Sequence, residues 1–313
     1  MSKEVVSELR QRMIEDMNAR KLAAGTQRGH IRACKRFAAF LKRSPDTATP
    51  EDIRRFQIHL AKTGMSICTR NITMTGVKFL VHVTLRRPDL VAEIFHIREP
   101  QKIPQVLSPE ETKDLLTVAT SLKARVMLSL GYGCGMRAGE IVRLKVKHID
   151  SAQGIIRIEQ SKGRKDRNVM LSNEALVLLR QWWRVRPTRY DTGILLPERW
   201  LFPGTKVGNP MTTRQLNRLF HAAADAAGIK KDVTLHGLRH GFATHLLERG
   251  TDIRVIQTLL GHGKLDTTAR YTRVATGMIA SIESPLDLLS QLPKKPNKKP
   301  DPDEKDPDEK DPA

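Results

Sequence analysis

Leu235 to Val274 reads LHGLRHGFATHLLERGTDIRVIQTLLGHGKLDTTARYTRV, and the rest of the chain is interpreted outward from these forty residues. They hold His236, Arg239, His262 and Tyr271, set around two apolar runs of helical period, Leu238 to Arg249 and Asp252 to Leu260. Gly250 and Gly261 stop those helices, and Thr267 to Tyr271 begins a third turn that carries the phenol. Imidazole, guanidinium and phenol all need partners when buried, so core packing explains such a quartet poorly. Cations beside a phenol suit a phosphodiester ligand that the phenol attacks.

Splitting a phosphodiester without a metal requires a nucleophile, cations on the non-bridging oxygens and an acid for the leaving 5′-oxygen. Among Tyr132, Tyr190 and Tyr271, only the last stands in a basic constellation. A phenol has a pKa of about 10 in water, so neighbours must favour the phenolate or take its proton. His236 and His262 could serve there or donate to the phosphate. A zinc site is the rival, since His236 and His240 are four residues apart with His245 nearby. No carboxylate lies between the pair as a metallohydrolase would require, so no metal is expected and His240 is read as structural.

The His236-x-x-Arg239 pair, Leu259-Leu260-Gly261-His262, the interval of twenty-three residues from Arg239 to His262 and that of nine from His262 to Tyr271 resemble the C-terminal signature of tyrosine recombinases (phage integrases and Xer-type resolvases). In that family an arginine in a glycine-rich turn forms a first box, which GYGCGMRAGEIVRL (131–144) matches with Arg137, followed three residues on by Glu140 to orient it. The resemblance makes Arg137 and Arg239 a phosphate clamp, a role suited to the planar fork of a guanidinium. One departure is Gly139, which costs about 1 kcal/mol of helix propensity and is expected to loosen that clamp. Ser161-Lys162-Gly163 in a β-turn fits the family's general acid, making Lys162 the candidate and Lys165 its competitor. Arg164 and Arg167 are then expected to grip the DNA backbone.

The implied fold is mainly α with a small β-hairpin or sheet: an N-terminal four-helix, SAM-like core-binding domain over 1–86, a linker over 87–106 and an α+β catalytic domain over 107–292. The two domains would form a C-shaped clamp on duplex DNA bearing paired half-sites. The implied chemistry passes through a 3′-phosphotyrosyl intermediate and needs no cofactor, neither ATP nor Mg²⁺. Family members act as synaptic homo-tetramers built from monomers and exchange a C-terminal segment, for which Ile279 to Leu292 is the candidate here. A type IB topoisomerase and a catalytically silent DNA-binding accessory protein are the competing functions.

The remaining chain supports a DNA binder. Its net charge of +20 lies outside the tail, because Lys294 to Ala313 balances six basic against seven acidic residues. Aromatic residues are only 4%, too few for a single-strand reader built on stacking, so duplex DNA held through phosphates fits better. The tail over 293–313 repeats Asp-Pro-Asp-Glu-Lys and is expected to be disordered. Cys34, Cys68 and Cys134 form no CxxC pair, no signal peptide opens the chain and no apolar run approaches a membrane span. A cytoplasmic, nucleoid-associated protein without membrane contact is expected.

Helical spacing over Lys3 to Leu22 gives a first helix. A second is expected after Thr26 as N-cap, with Ile31, Cys34, Phe37, Ala38 and Leu41 inward and Arg28, Arg32, Lys35 and Arg36 outward. Thr49-Pro50-Glu51-Asp52 starts a third that ends near Lys62, and a fourth spans Ser66 to Thr84. Arg28, Arg32, Lys35, Arg70 and Lys78 are the candidate DNA contacts of this bundle, although a charged helix face is commonly just solvated. Ser108-Pro109-Glu110-Glu111 opens the second domain. A helix over Ala124 to Gly131, a hairpin of 154–160 and 167–171, and helices Asn173 to Val185 and Thr212 to Ala227 follow. Trp182 and Trp183 are read as core or interface, and Trp200-Leu201-Phe202 as an anchor.

Overall fold

The first helix, α1 (Glu8–Ala19), begins where the Ser7 hydroxyl accepts the Arg10 N–H and turns Met13 and Met17 inward. The structure is a computed structural model that describes residues 7–100, 105–159 and 166–261. It divides into two compact units, Met1–Lys102 and Ile103–Ala313. No described helix is long and apolar enough to cross a membrane.

In the first unit the chain turns sharply after α1, and α2 (Ala24–Leu41) starts earlier than expected. Ala23 is its N-cap with no side-chain bond, and Thr26 lies inside the first turn. The connection is short because Gln27 ties it together, donating to the Leu22 carbonyl at 2.9 Å and to Asn18 Oδ1 at 3.0 Å. Helix α3 (Pro50–Lys62) carries a reciprocal box in which Thr49 caps Asp52 and Asp52 accepts the Thr49 N–H at 2.9 Å. Ser66 caps α4 (Ile67–Phe79), which runs on through a π-helical turn, Leu80–Thr84. Helices α2 and α4 meet almost backbone to backbone at Ala33 and Gly76, where a Cβ added to Gly76 would stand 2.6 Å from that of Ala33.

The expected linker over 87–106 needs correction. Its first part forms α5 (Pro88–Ala92), and Leu90 and Ile94 join Phe37, Ile53, Phe56, Leu60 and Val77 in the first core. Buried Gln57 donates to the Glu93 carbonyl at 2.9 Å and accepts from the Phe95 N–H at 3.3 Å. Asn71 exchanges bonds of 2.8 and 3.0 Å with the backbone of Ile97. Two side-chain amides thus take up the backbone groups of Glu93, Phe95 and Ile97, so the chain up to Ile97 packs on the first unit.

The second unit opens with α6 (Pro109–Thr117), where Ser108 and Glu111 form the expected capping box at 2.7 and 3.1 Å. Then come α7 (Leu122–Gly133) and α8 (Ala138–Val142), followed by β1 (Ile149–Asp150), β2 (Ile155–Ile158) and β3 (Arg167–Met170). The three strands form an antiparallel sheet in the order β1-β2-β3, with Ile155 opposite Met170 and Ile158 opposite Arg167. Helices α9 (Asn173–Val185), α10 (Thr213–Ala226), α11 (Leu235–Glu248) and α12 (Ile253–Leu260) complete the described part.

Helix α7 lies at the centre, its Val126, Met127, Leu128 and Leu130 buried with Ile156, Val169, Phe202, Phe220 and Leu238. The anchor behaves as expected: Leu201 and Phe202 are buried, and the Trp182 indole donates to the Leu201 carbonyl at 2.8 Å. Helix α11 begins three residues before the expected Leu238, because Leu235 is itself buried in this core and draws the first turn into helix. His236 and Arg239 therefore stand on one continuous helix, three residues apart and on one face.

Candidate active site

The site is assembled from the end of α7, the start of α8, and helices α11 and α12. Gly135 breaks the chain out of α7 in the left-handed region at φ +59°, close against the ring of Phe242. Two residues later Arg137 occupies the N-cap position of α8. Glu140, at N3, accepts the Arg137 backbone N–H at 2.8 Å and pairs with its Nη1 at 2.9 Å. One carboxylate thus caps the helix and aims the guanidinium of the residue before it. Gly139 lies within α8, and the Arg137–Glu140 pair forms across it.

Arg239 is only 1% exposed. Its Nη1 donates to the Gly135 carbonyl at 2.7 Å and its Nη2 to the Leu260 carbonyl at 2.6 Å. Two of its five donors therefore fix the guanidinium plane, with one bond reaching the turn that carries Arg137 and the other the last residue of α12. His236 opens to the surface one turn earlier, its ring edge-on to His240 with centroids 4.6 Å apart. Partial desolvation, then the positive charges of Arg239 and Arg137, hold the His236 imidazole below its ordinary 6.5. All three influences favour the uncharged ring. The structure thus brings together Arg137, His236 and Arg239, which the sequence spreads over about a hundred residues.

His245 sits elsewhere on α11, with its Nδ1 2.9 Å from the Tyr132 hydroxyl. Burial raises the Tyr132 pKa, with the Arg249 charge opposing it. Tyr190 is half-buried, with the Arg189 guanidinium 4.8 Å from its ring centre. Lys162, Arg164, His262 and Tyr271 lie outside the described residues.

Of the expected DNA contacts, Arg28, Arg32, Lys35 and Lys78 are exposed on α2 and α4, and Arg70 is half-buried. Arg36, also expected outside, reaches across to the Thr73 hydroxyl at 3.3 Å. Arg167 requires a correction. Its side chain is 7% exposed and forks onto Glu140, Nη1 to Oε1 and Nη2 to Oε2 both at 2.8 Å, while its Nε donates to the Leu259 carbonyl at 2.9 Å. It points into the protein, not at a DNA backbone. Strand alternation carries this signal, since Arg167 shares a face with buried Val169 and Leu171 while Asn168 and Met170 face out.

Comparison with known proteins follows the same division. Residues 105–278 match the phage integrase family, and residues 9–89 match the N-terminal SAM-like domain of phage integrases. A putative integrase/recombinase of Sinorhizobium fredii, y4qK, is 40% identical over 95% of this chain and 94% of its own. The tyrosine recombinase XerA of Pyrococcus furiosus is 31% identical over 91% of this chain and 97% of its own. A solved structure of a lambda integrase(75-356) dimer bound to a COC′ core site shares the fold, with a TM-score of 0.65 and 18% identity over 84% of this chain and 93% of that one. With both parts of the chain matched, and with relatives of this identity aligned nearly end to end, the chain belongs to the phage integrase family of tyrosine recombinases.

Proposed function

We propose that this recombinase cuts and rejoins duplex DNA through Tyr271, with Arg137 and Arg239 holding the scissile phosphate. The observation that carries this reading is the convergence of Arg137, His236 and Arg239 on a frame of backbone carbonyls and the Glu140 carboxylate. Fixed cations are worth most where charge develops, because they need no reorganisation as the five-coordinate phosphorus forms. A guanidinium beneath the surface acts through a medium of lower dielectric than water, which strengthens its pull on a phosphate above it.

The reaction is a transesterification. The Tyr271 oxygen bonds to phosphorus, the bond from phosphorus to the 5′-oxygen breaks, and a 3′-phosphotyrosyl link replaces the DNA diester. The phenol proton passes to His236 or His262, and Lys162 supplies a proton to the departing 5′-oxygen. A 5′-hydroxyl from a partner strand then attacks the phosphotyrosyl link and returns the phenol. One phosphodiester is exchanged for another, so the sequence balances without ATP, and the arginines carry the charge that a metal would otherwise carry.

Duplex DNA is the partner, in keeping with the DNA-bound lambda integrase and XerH structures among the fold neighbours. Paired half-sites would be filled by four copies in synapsis, each copy using Arg28, Arg32, Lys35, Arg70 and Lys78 of its first unit and Arg164 of the hairpin on phosphates. Ile279 to Leu292, outside the described residues, is the segment proposed to pass between neighbours.

The test uses a nicked suicide duplex carrying the site, identified by footprinting the DNA flanking the protein's own gene. The wild type is expected to give a covalent protein–DNA adduct and Tyr271→Phe none, with equal DNA binding. An adduct formed by Tyr271→Phe would refute the assignment. Loss of the wild-type adduct in chelator would refute the metal-independent chemistry.

A further inference from the structure

Arg167 lies at the start of β3, far in sequence from both groups that it touches, and bonds to the Glu140 carboxylate and to the Leu259 carbonyl. Two run in parallel to the oxygens of Glu140, whose side chain is only 9% exposed, and Glu140 in turn holds the Arg137 guanidinium. The third runs to the Leu259 carbonyl in the last turn of α12. Gly261, which ends that helix at φ +64°, passes so near that a Cβ there would stand 2.7 Å from Arg167 Cδ and 3.3 Å from its Nε. Arg167 thus joins the Arg137 turn to the end of α12 from the sheet side, as Arg239 does from α11.

We infer that Arg167 is a positioning residue, setting the Arg137 guanidinium through Glu140 and the exit of α12 through the Leu259 carbonyl. A carboxylate gripped by one guanidinium can turn about its own bond and carry that guanidinium along. Gripped by two, with one forked across both oxygens, it has a single orientation. Without Arg167 the forked grip on Glu140 is lost, and the carboxylate is expected to turn and misaim the Arg137 guanidinium while leaving it over the phosphate. Lysine offers a point charge that can satisfy Glu140 but cannot span both carboxylate oxygens and the Leu259 carbonyl together. The inference rests on the reading that Arg137 holds the scissile phosphate.

The experiment measures single-turnover adduct formation on the nicked suicide duplex, alongside equilibrium DNA binding at several salt concentrations, for the full chain. Arg167→Met should form adduct about a hundredfold more slowly, the loss expected when a reacting group is misplaced by about 1 Å. Its affinity for DNA should stay within about threefold and its salt dependence should match the wild type. Arg167→Lys should recover part of the rate. Arg167→Met combined with Glu140→Gln should fall short of the product of the two single losses, because both act through one carboxylate.

Cleavage by Arg167→Met at nearly the wild-type rate would overturn the inference. So would a loss confined to DNA affinity with a salt slope smaller by about one, the mark of a phosphate contact. Full multiplicative losses in the double variant would overturn it, as would unfolding of both Arg167 variants, which would leave only a structural role. A wild type that forms no adduct would sink the Tyr271 reading and this inference together, whereas a wild type that forms adduct while Arg167→Met cleaves as fast sinks this inference alone.

Discussion

Gly135→Ala tests how tightly the turn before Arg137 is built. Gly135 lies at φ +59°, where a residue with a side chain costs about 1–2 kcal/mol. The added Cβ would stand 2.5 and 2.7 Å from Cδ1 and Cε1 of Phe242 and 3.2 Å from Cδ2 of Leu260. Both neighbours are buried, so neither can swing into solvent. Forcing an extra carbon into such a core costs about 1–3 kcal/mol, which brings the total to roughly 2–5 kcal/mol. The same shift moves the carbonyl that receives Arg239 Nη1, so cleavage should fall as well. All three tryptophans, Trp182, Trp183 and Trp200, belong to the second unit, so their fluorescence during denaturant unfolding reports on this unit alone. Gly133→Ala is the control, since it has ordinary φ and no atom within 4 Å of the new Cβ; it should be neutral or stabilising by up to about 1 kcal/mol. Equal midpoints for the two variants, to within about 0.5 kcal/mol, would refute the packing argument.

Two further outcomes follow from buried charge. Arg186 and Asp191 pair with 1% and 6% of their side chains exposed, so Asp191→Ala should cost about 3–5 kcal/mol by stranding the guanidinium. Replacing both with apolar residues should cost much less, and an equal loss in the double variant would contradict this account. The second concerns acid. Burial holds the imidazoles of His148, His236 and His245 below their ordinary 6.5. The unfolded chain then binds more protons than the folded one between the folded values and 6.5. Stability of the second unit should therefore begin to fall as pH drops through about 6.5 and continue falling to the depressed folded values. A denaturation midpoint that stays level from pH 7.5 to 5.5 would rule this out.

The elements that announced themselves in the sequence carry their own local instructions. Ser108 with Glu111 and Thr49 with Asp52 each specify a helix start through side chains three residues apart, and both boxes form. The Arg137–Glu140 pair was legible for the same reason of short range. What escaped depends on residues distant in sequence. Thr26 is a good cap, yet the helix starts at Ala24 because Gln27 closes the turn behind it. The stretch after Pro88 lacks amphipathic period and reads as a spacer, yet Gln57 of α3 and Asn71 of α4 hold it. β1 is two residues long and offers no alternation to detect. Arg167, at the start of a strand beside a basic turn, reads as a cation for the DNA backbone, and its place in the period of β3 tells that it faces inward.

The last two carbonyls of α12 are each received by an arginine from a different part of the chain, Leu259 by Arg167 and Leu260 by Arg239. That double fastening acts as a gauge on length. Adding or deleting one residue within α12 would rotate its end by about 100° and shift it by about 1.5 Å, misaiming both carbonyls in one stroke. Exposed side chains such as Val255 can be exchanged freely while the number of residues cannot. The interval of twenty-one residues from Arg239 to Leu260 is therefore a mechanical dimension, more sensitive to insertion and deletion than to substitution.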